Sequence, residues 1–293
     1  MHSLNYYLKD MKKTSFIILL LLALPMLSHA GGGWPQAKGK GYFKLSQYFI
    51  ISDRYFSPAG DLLDIATASI YQTSFYGEYG ITDRLTGIAY VPFFSRATLN
   101  EQVSSFNGDV LAEGDAVNSF GDTDLTLKYG LIVNKPIVVS ASLTLGLPLG
   151  NSAGGNTGVL QTGDGEFNQM VTLEASRGLR KGRAWISALL AFNNRSDNFS
   201  DELRYGLEVG HKLGEKWIAN FKLLSVNSLN NGSDFETPSN GIFSNNIEYI
   251  ATTYELAYSW NEKYGVSAAI GTALDGRRVL ANPSFSAGIF MNL

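Results

Sequence analysis

The residues able to do covalent or metal chemistry are few in this sequence. There is no cysteine and there are three histidines, so disulfides, thiolate metal sites and cysteine nucleophiles are excluded at once. His2 and His29 fall in an N-terminal stretch that reads as an export leader, which leaves His211. Its neighbours are Lys212 and Leu213, and the alternation around it puts it on an apolar face near a turn. A Ser-His pair needs both side chains within hydrogen-bond reach in a groove, and nothing places a serine there. Carboxylates are plentiful, yet no spacing sets two of them up as an acid and a base, and no cluster has metal-ligand spacing. The glycine-rich stretch from Gly150 to Asn156 is not followed by Lys-Ser/Thr and a helix, so it is no phosphate cradle. The expectation is a protein that is not an enzyme, with no catalytic, cofactor-binding or metal-binding residues and no cofactor.

What remains is a set of polar side chains that recur in phase with their surroundings. Lys44, Tyr48, Lys128, Glu174, Arg204, Glu208, Lys222 and Glu255 each fall on the face opposite the apolar one in segments of alternating character. On a strand, every second residue shares a face. If the apolar face meets lipid, these eight residues line the other side, the lumen of a barrel. A charge on the lipid face near mid-membrane costs about 2–4 kcal/mol, so their placement fixes the register before it identifies any site. Mixed signs in a lumen produce a field across a narrow pore or pair with one another as filler, and the sequence leaves both open.

The elements that must hold these residues are strands. The clearest is residues 202–213, where Leu203, Tyr205, Leu207, Val209, His211 and Leu213 alternate with Arg204, Gly206, Glu208, Gly210 and Lys212. The C-terminal stretch behaves alike, with Phe285, Ala287, Ile289, Met291 and Leu293 on one face. Alternation of this kind predicts twelve strands, at 42–51, 66–79, 84–94, 122–131, 137–147, 167–176, 184–193, 202–213, 217–226, 247–260, 264–274 and 283–293. Long polar connections, among them 52–64, 95–121 and 148–166, alternate with tight turns throughout. This is the pattern of an up-and-down antiparallel transmembrane β-barrel with its long loops outside. A soluble β-barrel or sandwich is the alternative, but it has less reason to keep the two connection lengths in phase.

Composition agrees with a barrel. Of 293 residues, 45% are hydrophobic and 17% charged, and the mean hydropathy is near zero. Beyond the N-terminus no apolar run approaches the roughly 20 residues that a spanning helix needs. Residues 1–30 read as a cleaved signal peptide. Met11-Lys12-Lys13 form its basic region, 16–24 its apolar core, and Ser28-His29-Ala30 a small-x-small cleavage site. Residues 31–40 then form a short periplasmic segment, too few for a plug domain, and residues 41–293 form the barrel. Removing the leader takes away Lys9, Lys12, Lys13 and Asp10, so the rest is more acidic than the whole-chain formal charge of −3. Nothing suggests a nucleic-acid partner. The acidic outer loops, with Asp109, Glu113, Asp115 and Asp164 among their residues, attract cations or take part in divalent bridges to lipopolysaccharide.

Three stretches resemble a known family. They are Gly80-Ile81-Thr82-Asp83-Arg84-Leu85 continuing through Val91-Pro92-Phe93, the strand from Phe120-Gly121-Asp122 to Lys128-Tyr129-Gly130-Leu131, and Leu145-Gly146-Leu147-Pro148-Leu149-Gly150. They are similar to motifs of the outer-membrane transporters of the MetA pathway of phenol degradation. The resemblance implies a barrel that moves small, apolar or neutral, even aromatic, solutes; it carries over no binding residue. The expected function is therefore an outer-membrane channel working by passive diffusion. The expected partners are outer-membrane lipid, lipopolysaccharide, a small solute, and the barrel-assembly machinery, which would read the strand at 285–293. The alternative is a structural or adhesive barrel that acts through its outer loops.

Overall fold

The structure is a computed structural model that describes residues 32–233 and 243–293. The leader expected at 1–30 lies outside the described residues. Twelve long strands form one closed antiparallel barrel. In chain order they are β1 Gly41–Phe56, β2 Leu62–Gly80, β3 Leu85–Leu99, β4 Thr123–Ile132, β5 Ile137–Leu147 and β6 Asn168–Leu179. They continue as β7 Ala184–Arg195, β8 Glu202–Leu213, β9 Trp217–Ser228, β10 Glu248–Ser259, β11 Tyr264–Arg277 and β12 Ser284–Asn292. Each pairs with its sequence neighbour, and β12 returns to β1 to close the sheet in a register running from Tyr42 opposite Asn292 to Ile50 opposite Ser284. A closed sheet has no unpaired edge, so every ladder group is satisfied.

The pleat then sorts the side chains. On β8, Leu203, Tyr205, Leu207 and Val209 are exposed while Glu202 and Gly210 are buried. On β4, Leu125, Leu127, Tyr129 and Leu131 are exposed while Lys128 is only 5% exposed. Leucines on the surface and a lysine inside invert the arrangement of a water-soluble domain. The outside is a belt for hydrocarbon and the inside holds the polar groups. Aromatic pairs stud the outer face across neighbouring strands, as Trp217 on Tyr258 at 4.7 Å and Phe49 on Phe285 at 5.5 Å between ring centroids. Such cross-strand contacts pin the register.

The wall is uneven, and here the sequence reading needs correction. The expected loops at 52–64 and 95–121 are largely strand. β1, β2 and β3 run 16, 19 and 15 residues, against 9–14 for the other nine. A further short strand, Asp115–Ser119, pairs with the outer end of β3. The ladder can extend this far because the side chains of these segments still alternate, so Ile50, Ala68, Ile70 and Ala97 all turn inward and are buried. Tight turns close the opposite end, where Asn134 adopts φ 57°, a backbone region that asparagine tolerates better than most residues.

The belt generates a simple expectation. Leu207, mid-strand and half exposed, faces lipid, so Leu207→Arg should destabilise the barrel by about 2–4 kcal/mol. Denaturant unfolding in lipid vesicles measures this, and an unchanged midpoint would contradict the assigned face.

Candidate functional site

The candidate site is the barrel interior. Its half nearer the tight turns carries paired charges. The Nζ of Lys44 on β1 reaches over β12 and β11 to Glu255 on β10 at 2.7 Å. The Nζ of Lys128 on β4 reaches over β5 to Glu174 on β6 at 2.8 Å. Lys222 on β9 meets its register partner Glu208 on β8 at 3.5 Å, and the Trp185 indole N–H donates to the same Glu208 at 2.9 Å. Nearer the outer end Arg204 pairs with Glu202 at 2.5 Å. Seven of the eight residues singled out from the sequence thus sit in ion pairs on the interior face. The eighth, Tyr48, packs against the edge of an apolar cluster. Between the two readings left open for these charges, this geometry is that of pairing. A lone buried ion is costly, and an opposite partner with hydrogen bonds offsets that cost.

The segment expected as a short periplasmic stretch at 31–40 is where the structure departs most from that reading. Among the described residues there is no plug domain, but the segment from Gly32 on enters the barrel. Gly39 donates its N–H to the Gly80 carbonyl on β2 at 2.9 Å. The Gln36 backbone N–H donates to Thr86 Oγ1 on β3 at 2.8 Å, and its side-chain amide donates to Glu78 Oε2 on β2 at 3.0 Å. The Gly33 N–H donates to Ser176 Oγ on β6 at 2.7 Å. Lys128, besides its bond to Glu174, donates to the Gly32 carbonyl at 2.7 Å. The segment thus reaches from β2 as far as β6 and β7 on the opposite wall. Its approach is close enough to demand glycine. A Cβ at Gly32, where φ is +64°, would lie 2.4 Å from Ser187 Oγ on β7, and one at Gly80 would lie 2.1 Å from the Ala37 carbonyl oxygen. A domain count missed this because a strand-length segment needs no core of its own when the wall supplies its partners. The run Gly-Gly-Gly-Trp-Pro-Gln was the available signal.

The outer half is covered by the 148–167 connection, expected as an outer loop at 148–166. Its residues 160–163 are buried. Gly154 and Leu160 pair as an antiparallel bridge, which makes the connection a small hairpin. Its base is held by Asp122, whose two carboxylate oxygens accept the N–H groups of Gly150 at 2.9 Å and Asp164 at 2.8 Å. Its return limb is held by Arg195 on β7. The Arg195 guanidinium pairs with Asp164 at 2.8 Å, Glu166 at 2.7 Å and Glu202 at 3.0 Å. Its tip is held by Asp115, whose carboxylate accepts the Thr157 hydroxyl at 2.6 Å and the N–H groups of Thr157 and Asn156, both at 2.9 Å. Sequence reasoning missed Arg195 and Glu202, although both keep the interior phase of Asn193 and Arg204. It could not find Asp115, whose partners lie over forty residues away.

The two anchors titrate differently. The Thr157 hydroxyl, with the Thr157 and Asn156 N–H groups, holds the Asp115 carboxyl down at about 2. That tip bond keeps its charge throughout the physiological range. Burial pushes Asp164 up to about 6, with the Asp122 carboxylate adding to the rise and Arg195 opposing it. Burial likewise raises Asp122 and Glu166.

No protein-family model and no curated protein matches the chain, so its family resemblance rests on the three sequence stretches alone. Solved structures do match. The COG4313 outer membrane channel from Pseudomonas putida F1 is similar with a TM-score of 0.58 at 14% identity, covering 91% of this chain and 100% of that one. The NanC porin matches at 0.52 and 9%, covering 86% and 100%. The translocator domain of the autotransporter NalP from Neisseria meningitidis matches at 0.51 and 10%, covering 88% and 90%. This is an outer-membrane β-barrel fold. Its apolar belt supplies the surface that such a location demands. A channel, a porin and a translocator share the architecture, so the function has to be argued from the interior.

Two expectations follow. Lys128→Met leaves Glu174 uncompensated in the wall and should cost about 3–5 kcal/mol, whereas Lys128→Met with Glu174→Met should be close to neutral. Unfolding of the single and double variants decides this, and equal losses would refute the pairing. The second concerns pH. Burial favours the neutral Asp164 carboxyl when the hairpin is seated, so the seated form binds a proton more tightly than a lifted one. Seating should strengthen as pH falls from about 6 toward the ordinary carboxylate range. Amide exchange of residues 148–167, corrected for the intrinsic pH dependence, should therefore slow between pH 7.5 and 5; faster corrected exchange would contradict it.

Proposed function

We propose that the protein is an outer-membrane channel for small apolar or neutral solutes, working by passive diffusion. The observation that carries this reading is the character of what occupies the interior. A twelve-strand barrel is wider than its own side chains readily fill. Among the described residues the space is crossed by one thin segment and covered by one hairpin, and both are held largely by hydrogen bonds and ion pairs. Neither is a packed domain, and neither supplies one of the twelve strands that close the wall. At the outer end of β1–β3, opposite in character to the charged cluster of Arg195 and Glu202, the interior carries a patch of Ile50, Ala68, Ile70 and Ala97, on which an apolar solute is favoured over an ion. The structural neighbours described as an outer membrane channel and as a porin support the same reading. The candidate lining of the path is Lys44, Tyr48, Lys128, Glu174, Arg204, Glu208, Lys222 and Glu255. The C-terminal strand, with its oily face ending in Leu293, is the element that the assembly machinery would recognise, and lipopolysaccharide is the neighbour of the acidic outer loops.

The test uses purified protein in liposomes and planar bilayers, beside a variant that lacks residues 31–38 and has the hairpin tip freed by Asp115→Ala. The full chain should admit ions poorly. The variant should show a severalfold larger conductance and should let small neutral solutes swell the liposomes. If both forms stay closed to ions and solutes alike, the channel reading falls.

A further inference from the structure

The chain carries an apolar patch inside its own barrel and covers that patch with its own leucine. Ile50 from β1, Ala68 and Ile70 from β2, Ala97 from β3 and Val117 from the short strand beside it form the patch at the outer end of the interior. Leu280 joins them from the connection before β12. Leu160, from the inward hairpin at 148–167, packs against them and is 1% exposed. The seat is close. A Cβ at Gly154, the residue bridged to Leu160, would lie 2.5 Å from Val117 Cγ2. We propose that this patch is a binding subsite for an apolar group of about leucine-to-aromatic size, that Leu160 occupies it in the closed channel, and that the 148–167 hairpin is an outer gate latched at its tip by Asp115.

Two features separate this arrangement from ordinary core. First, the patch lies on interior positions of strands whose interior is otherwise polar. Lys44, Ser46 and Tyr48 precede Ile50 in the same phase on β1, and Gln72 and Ser74 follow Ile70 on β2. A wall that needed only to exclude water or pair charge would have no cause to switch. Second, the group that covers the patch comes from a connection held at its tip by a single acceptor. The Thr157 hydroxyl and N–H and the Asn156 N–H all converge on the Asp115 carboxylate. Residues 155–157 are otherwise exposed. One carboxylate therefore decides whether the tip stays seated, and an incoming apolar group competes with one side chain rather than with a packed layer. The bond of the Gly150 N–H to Asp122 at the base would stay in place and serve as the hinge, while Asp164 on the return limb lifts.

This inference rests on the channel reading, and its test reads the patch directly without requiring transport. The protein lacks cysteine, so Ala97→Cys gives a unique thiol beneath Leu160. The full chain is reconstituted in liposomes and treated with a membrane-impermeant maleimide. Labelling should be slow in this parent. Adding Asp115→Ala should speed it by about tenfold or more, the order expected for hydrogen bonds to a charged group. Adding Leu160→Ala instead leaves every latch hydrogen bond intact and should also speed labelling, which guards against misfolding of the Asp115 variant. Toluene, an apolar probe near leucine in size, should then protect the thiol in both variants. Unchanged labelling in the two variants overturns the gate. Faster labelling without protection by toluene overturns the subsite. Should labelling and protection behave as expected while neither variant, with residues 31–38 also removed, gains conductance or solute uptake, the channel reading fails and the subsite stands.

Discussion

A sheet that crosses hydrocarbon can leave no backbone edge unpaired. Each unsatisfied amide or carbonyl in lipid costs several kcal/mol, so the pairing of β1 with β12 is the joint on which everything else depends. Once the sheet is closed, the pleat leaves each residue only two places to go. Leucine, valine and the aromatics take the outside, because burial in lipid is the apolar option. Lysine and glutamate take the inside, because it is the only other option. The polar interior therefore follows from closure and was not assembled to serve a site.

An interior reached in this way has to neutralise its own charge. The distances show how: Lys44 and Lys128 each reach past intervening strands to a carboxylate, and Lys222 meets its register partner. These cross-wall pairs stiffen the barrel and remove most of the field a mixed lumen would otherwise carry. They also leave donors to spare. An ammonium group offers three hydrogens, and Lys128 uses one on Glu174 and another on the Gly32 carbonyl. The same residue thus balances the wall and grips the entering segment.

The strands and their faces were legible because period two is a local property, readable over five or six residues without knowledge of the partner. About twelve strands were expected and, among the described residues, twelve long ones close the barrel, and the outward set on β8 was read residue by residue. The phase of the eight candidate lining residues was readable for the same reason. The height of β1–β3 was not, because polar residues such as Asp53 and Arg54, in a strand that runs on past the end of β12, look like a loop. The inward course of 32–40 and of 148–167 was not legible either. Each depends on single long-range bonds, such as those of Gly33 to Ser176 and of Thr157 to Asp115, which leave no periodic trace. Leu160 in a glycine-rich stretch gave no sign that it would be among the most deeply buried residues of the protein.

The two occluding elements differ in how they are tethered, and that difference is mechanical. The hairpin at 148–167 is joined to the wall at both ends, through β5 and β6, so it can only swing, and its travel is set by its own arc. The segment at 32–40 is joined to the barrel at Gly41 and, within the described residues, nowhere else by covalent bonds. It behaves as a line and not as a flap. A pull along it would break its wall contacts one after another, from Gly39 near its root to Gly32 at the far wall or in the reverse order, instead of all together. Each residue released would regain backbone freedom of about 1–2 kcal/mol. One occluding element is therefore built to swing, and the other to peel.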